Sequence, residues 1–231
     1  MKKTLNPIPP PLPFQTPGEE IANAILHGLG IVLAAAGLVL LTLRSSGALG
    51  GAGLPPEERP LAIACCAIYA AMMILMFLSS TLYHAIQAEG AKRVFRVIDH
   101  STVFLLIAGA YTPFSLLGLR GAWGWAYFGT EWALAAAGVS LYAAGVSFLR
   151  RIELGLYVLM GWAIVLALFR LYHRLPPASF VLLVAGGVAY TAGVFWYLRR
   201  HRRLSHVIWH VHVIAGSVCH WFALFLMLGV G

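Results

Sequence analysis

Residues 204–220, LSHVIWHVHVIAGSVCH, place four histidines in one apolar stretch. His206 and His210 lie four residues apart, about 40° around a helix and one turn along it, the spacing by which a helix offers two imidazoles to one metal ion. Such a pair alone does not separate ligands from packing histidines. Nor is HVIWH the H-E-x-x-H of zinc proteases, because Val207 stands where that motif carries its general base. Two further stretches supply partners. FLSSTLYHA carries Ser80 and His84, again i and i+4 on one face, and VIDHSTVF carries Asp99, the only aspartate in the chain, beside His100. Three imidazoles, His84, His206 and His210, leave a tetrahedral Zn²⁺ a fourth position for water, as catalytic zinc sites do. Asp99 is then the carboxylate available to orient that water directly or from outside the ligand set, and Ser80 can hydrogen-bond the water or Asp99. A role for Asp99 as cap or dipole partner at a helix start stays open beside this one.

The remaining histidines sort by the same geometry. His212, about 200° from His210, points away from the pair and reads as a packing residue. His220 returns to the His206 face, but 14 residues at 1.5 Å each put it roughly 21 Å along the axis. It cannot share the ion, and it either lines the same cavity or makes an ordinary interhelical hydrogen bond. Asn23 and His27, one turn apart, either touch the rim of the site or pair across helices. His173 and His201 read as solvated loop residues.

These side chains need elements to hold them. The chain is 60% hydrophobic and 10% charged over 231 residues, the composition of a membrane protein. Runs of roughly 20 apolar residues, enough to cross about 30 Å of hydrocarbon, fall near 21–43, 61–83, 97–118, 123–148, 154–171, 178–198 and 205–230. The expected fold is therefore an all-α, seven-helix transmembrane bundle spanning 21–231, preceded by a proline-rich cytoplasmic tail over 1–20. Six of the twelve prolines lie in the first 18 residues, and MKK runs into NPIPPPLPFQTPGEE with no apolar core of a cleavable signal peptide. Thr112 and Pro113 predict a kink in the third helix, and Trp123, Trp125 and Trp132 an interfacial belt on the fourth. Cys65, Cys66 and Cys219 read as small core hydrophobes.

A net charge of +8 raises nucleic acid as a partner, and the placement of the basic residues argues against it. With the N-terminus in the cytoplasm and the C-terminus outside, eleven of the sixteen lysines and arginines fall inside: Lys2, Lys3, Lys92, Arg93, Arg96, Arg150, Arg151, Arg199, Arg200, Arg202 and Arg203. Arg44, Arg59, Arg120, Arg170 and Arg174 fall outside, so the excess is a topology signal. The same orientation brings Ser80, His84, Asp99, His206 and His210 to one depth near the cytoplasmic side. Retinal chemistry is excluded because the lysines, Lys2, Lys3 and Lys92, leave none for a Schiff base on the seventh helix.

EEIANAILHGLG, SSTLYH, IDHSTVFLLIAGAYTPF and SHVIWHVHVIAGSVCH, in that order, resemble the hemolysin III group of bacterial membrane proteins within the progestin and adipoQ receptor family. The resemblance runs from about Glu20 onward. It implies seven helices in the bacterial cytoplasmic membrane, a cytoplasmic N-terminus, and zinc held by His84, His206 and His210. Asp99 matches the family's acidic residue at the zinc-bound water, and Ser80 the serine beside it. The wider superfamily includes alkaline ceramidases, which suggests by analogy hydrolysis of a lipid amide or ester. The competing expectation is a non-enzymatic sensor or regulator of membrane lipid state with structural zinc. A cytolysin or a transporter finds less support, since Asp99 reads as the one buried acid. Membrane lipids are the expected partners.

Overall fold

Hydrocarbon offers backbone N–H and C=O groups no partners, so a chain crossing it must satisfy them within each segment. The computed structural model describes residues 15–49, 54–199 and 201–229, and among them there is no strand. Eight α-helices follow in order: α1 Pro17–Ser46, α2 Arg59–Ala85, α3 Glu89–Pro113, α4 Gly121–Ala143, α5 Ser147–Trp162, α6 Leu168–Tyr172, α7 Pro177–Tyr197 and α8 Ser205–Met227. A 3₁₀ stretch, Ala163–Ala167, joins α5 to α6, so the two form one broken segment and the bundle has seven. Six of these segments are long and apolar enough to cross a membrane, the architecture of a polytopic helical membrane protein. The exception is α4, where glycines, tryptophans and the buried Glu131 dilute the apolar content.

Contacts between segment ends define two faces of the bundle. At one, the backbone N–H of Leu204, just before α8, donates to Glu19 Oε1 in the first turn of α1 at 2.6 Å. At the other, the Arg120 guanidinium grips both carboxylate oxygens of Glu58 at 2.9 and 2.8 Å, and Arg174 donates to the Leu119 carbonyl. In between, α1 packs on α2 and α8, and α8 on α7, so α1 lies against both helices that carry the ligand histidines.

Several boundaries depart from the sequence expectation for identifiable reasons. The first helix begins at Pro17 because Thr16 and Glu19 form a reciprocal capping box. Residues 17–20 are thus its first turn, and residues 1–14 of the expected tail lie outside the described residues. The third helix begins at Glu89, well before residue 97, so Lys92, Arg93 and Arg96 are helical. The turn after α4 comes at residues 144–146, where Gly145 takes φ +75°, and places Arg150, Arg151 and Glu153 inside α5, not in a loop. The expected kink at Pro113 is a widening: Phe114–Leu119 form a π-helical continuation of α3. Proline's missing N–H leaves the preceding turn without its i−4 bond, and a π turn absorbs the mismatch. Trp123 and Trp125 are exposed at the start of α4 as a belt requires, whereas Trp132 lies deeper and donates to Thr112 Oγ1 at 3.0 Å.

Close backbone approach sets the spacing of α3 and α4. A Cβ on Gly124 would stand 2.3 Å from the Ser115 carbonyl oxygen, and backbone cannot move aside as a side chain can. Gly124→Ala is expected to destabilise the folded protein by about 1–3 kcal/mol, read as a lower unfolding midpoint in micelles. Gly129→Ala, with open space at the Cβ position, should leave that midpoint unchanged.

Candidate metal centre

The i, i+4 face of α2 presents Ser80 and His84, and the corresponding face of α8 presents His206 and His210. His84 and His210 are fully buried, and His206 is half-buried. One ligand atom from each of the three lies within 4.8 Å of the other two, the one such histidine, cysteine and carboxylate group among the described residues. His84 Nε2 and His210 Nε2 approach to 3.1 Å. Two nitrogens bound tetrahedrally to one ion at 2.0–2.1 Å would be about 3.3 Å apart. The pair is therefore already near the separation that one zinc-sized ion imposes, so the residues present fit a metal.

Each of these two rings is held from behind. His84 Nδ1 lies 2.7 Å from Glu20 Oε2, and Glu20 Oε1 lies 2.9 Å from Lys92 Nζ. Lys92 also donates to the Tyr83 carbonyl at 3.1 Å. His210 Nδ1 lies 2.7 Å from His27 Nε2. Glu20 and His27 are two turns apart on the inward face of α1, with Asn23 between them, and all three are buried. An imidazole whose Nδ1–H is donated to an acceptor turns its Nε2 lone pair outward, so with Nδ1 protonated both rings would point that lone pair at the shared position.

His206 and His210 of the cluster line a partly open cavity of about 190 Å³. Ser80, Asp99, Tyr83, Arg96 and His100 line its polar end, while Leu106, Phe114, Val158, Leu183 and Val184 line the remainder. His220 also lines it, ten residues and about 15 Å beyond His210 along α8. It hydrogen-bonds the Leu183 carbonyl at 3.1 Å, so both roles open to it at the sequence level are realised. Ser80 Oγ is buried, with the Asp99 carboxylate as a polar neighbour.

The structure thus gathers His84, His206 and His210 and sets Ser80 and Asp99 on the wall of the same cavity. Because α3 starts at Glu89, Asp99 sits three turns inside the helix, and its reading as a cap falls away. His27 pairs across helices with His210 rather than standing at a rim. His100 lines the cavity but pairs with Glu153 at 3.1 Å and is not part of the histidine cluster. His212 packs toward Gly193, as a spare histidine would. His173 and His201 are exposed, and the His173 ring contacts Phe169 and Tyr172.

Three charged residues have roles that the sequence reading did not assign. Asp99 is not the one buried acid: Glu20 and Glu131 are both buried, at 8% and 1% exposure. Lys92, read as a cytoplasmic loop cation, is buried against Glu20. The readable signal for the α1 face was Glu20-Asn23-His27 at i, i+3, i+7, hidden by assigning Glu20 to the tail.

Comparison with known proteins places this geometry among relatives. The profile described as "Haemolysin-III related" matches residues 15–221. "Hemolysin-3" of Bacillus cereus is 37% identical over 204 residues, covering 88% of this chain and 89% of that one. "Hemolysin-3 homolog" of Bacillus subtilis (strain 168) is 36% identical, covering 88% and 92%. The human "Monocyte to macrophage differentiation factor" is 24% identical over 167 residues, covering 70% and 69%.

The cluster generates a direct expectation. Protein purified without chelator should carry one equivalent of a divalent transition metal by elemental mass spectrometry, and His84→Ala and His210→Ala should each carry almost none. Metal-free wild-type protein that also takes up none on titration would reject the centre.

Proposed function

The chain belongs to the haemolysin-III related family, and from that premise and the cavity geometry we propose that it is a zinc-dependent hydrolase of a membrane lipid amide or ester. His84, His206 and His210 would hold the zinc. The observation that carries this reading is the continuity of the histidine cluster with an apolar cavity, which suits a polar scissile group at one end and an acyl chain along the rest.

Zinc held there supplies Lewis-acid polarisation of a carbonyl and activation of water near neutral pH. The remaining steps fall to the protein's own groups. Asp99, on the cavity wall beside the cluster, accepts the proton released as water adds to the carbonyl carbon and returns it to the leaving amine or alcohol. The buried Ser80 hydroxyl donates to the oxygen on which negative charge develops. Leu106, Val158 and Leu183 exclude water from the acyl chain, which strengthens each of these interactions.

The basic residues favour a cytoplasmic N-terminus and a bacterial cytoplasmic membrane for this protein. The metal end would then face the cytoplasm. In a background with Cys65, Cys66 and Cys219 replaced by alanine, a membrane-impermeant maleimide applied to intact cells should label a cysteine at Glu57 and leave one at Arg202 unlabelled. The reverse pattern would invert the assignment.

Activity is tested by reconstituting the protein in vesicles carrying a panel of lipid amides and esters and following fatty-acid release by mass spectrometry. Asp99→Asn should retain metal yet lose turnover by about 10²–10⁴-fold, whereas His84→Ala should lose both. Stoichiometric zinc with no release from any lipid would reject the hydrolase and favour a lipid-state regulator in which zinc fastens α2 to α8.

A further inference from the structure

We infer that the first three turns of α1 form the positioning frame of the metal centre, with Glu20 and His27 setting the tautomer and orientation of its two buried ligands. The inference rests on the metal reading above and extends it to residues that touch neither ion nor substrate.

Glu20 is aimed by contacts on both sides. Its Oε2 accepts from His84 Nδ1–H and its Oε1 from Lys92, so one carboxylate joins α1 to α2 and α3. Lys92 is itself anchored by the Tyr83 carbonyl, one residue before the ligand. Two turns along the same face, His27 Nε2 lies 2.7 Å from His210 Nδ1, placed to accept its N–H, and an edge-on contact with Phe77 at 5.2 Å flanks the His27 ring. Glu19, next to Glu20, binds the Leu204 N–H just ahead of α8. Leu204 holds a left-handed backbone at φ +61°, a conformation that a leucine keeps only where contacts impose it. The Thr16 capping box fixes this whole turn.

The physical consequence is tautomeric. A neutral imidazole carries one proton, and whichever nitrogen donates to a fixed acceptor leaves the other as the ligand. Without Glu20, His84 can place its proton on Nε2 and lose its lone pair toward the ion; without His27, His210 can do the same. Outer partners of this kind typically contribute about 10–100-fold in metal affinity.

The test uses the full-length protein in detergent micelles, with Zn²⁺ affinity measured by chelator competition and Co²⁺ absorption as a probe of ligand geometry. Glu20→Leu with Lys92→Met removes the acceptor without stranding a buried cation, and His27→Leu removes the other acceptor. Each is expected to weaken Zn²⁺ binding by about 10–100-fold and to shift the Co²⁺ bands, with metal-free helix content unchanged. Glu20→Gln with Lys92→Met restores an acceptor oxygen and should recover part of the loss. Gly124→Ala is the structural control, less stable but with wild-type affinity and spectrum. Variants that bind and absorb like wild type overturn the frame and leave the metal centre standing. Wild-type protein that binds no metal, or His84→Ala that binds as wild type does, overturns both. If the Glu20 variants fail to fold, His27→Leu decides alone.

Discussion

A polar group inside hydrocarbon has no water to fall back on, so a buried imidazole, carboxylate or ammonium is costly unless a partner lies within reach. The Glu20 carboxylate, clasped between His84 and Lys92, is where that constraint is met most economically. It balances a cation, meets the buried His84 ring and joins three helices at one end. Removing one partner of such a buried group leaves another uncompensated, and that cost exceeds the worth of the contact itself. The placement of α1 against both ligand helices follows from this need as much as from apolar packing.

The rest of the architecture separates rigid support from open space. At the α7–α8 seam, glycines meet large rings: a Cβ on Gly186 would collide with His220, and one on Gly216 with Tyr190. Backbone approach of this kind is a common source of cohesion in lipid, where no hydrophobic drive favours one helix face over another. The cavity opens where such approach is interrupted, beside the π-helical turn after Pro113 and the 3₁₀ break between α5 and α6. Tyr111 takes up freed backbone groups at that break, donating to the Gly161 carbonyl at 3.2 Å and accepting from the Ile164 N–H at 2.6 Å.

Much of this was legible in the residues because the relevant signals are local. Apolar runs set the seven segments, and i, i+4 spacing put Ser80 with His84 and His206 with His210. What escaped is non-local or masked by neighbours. The α1 face was obscured because Glu20 abuts a proline-rich stretch, although Thr16 and Glu19 already spelled a capping box. Glu131 was passed over because GAWGWAYFGTEWALAAAG shows no one-sided pattern to mark which residues turn inward. The break at Ala163–Ala167 lies in an unbroken apolar run, with neither proline nor charge to announce it. Lys92 looked like a loop cation because helix periodicity in α3 becomes apolar only after the charged turns at its start.

The two facing ligands, His84 and His210, are separated by 126 positions along the chain, and His27 stands 183 positions before the ring it supports. During synthesis α1 and His84 on α2 precede the His206–His210 pair, which arrives with α8. The complete ligand set therefore cannot exist on a partly made chain. An ion captured there would fasten α8 to α2 only after every intervening crossing is in place.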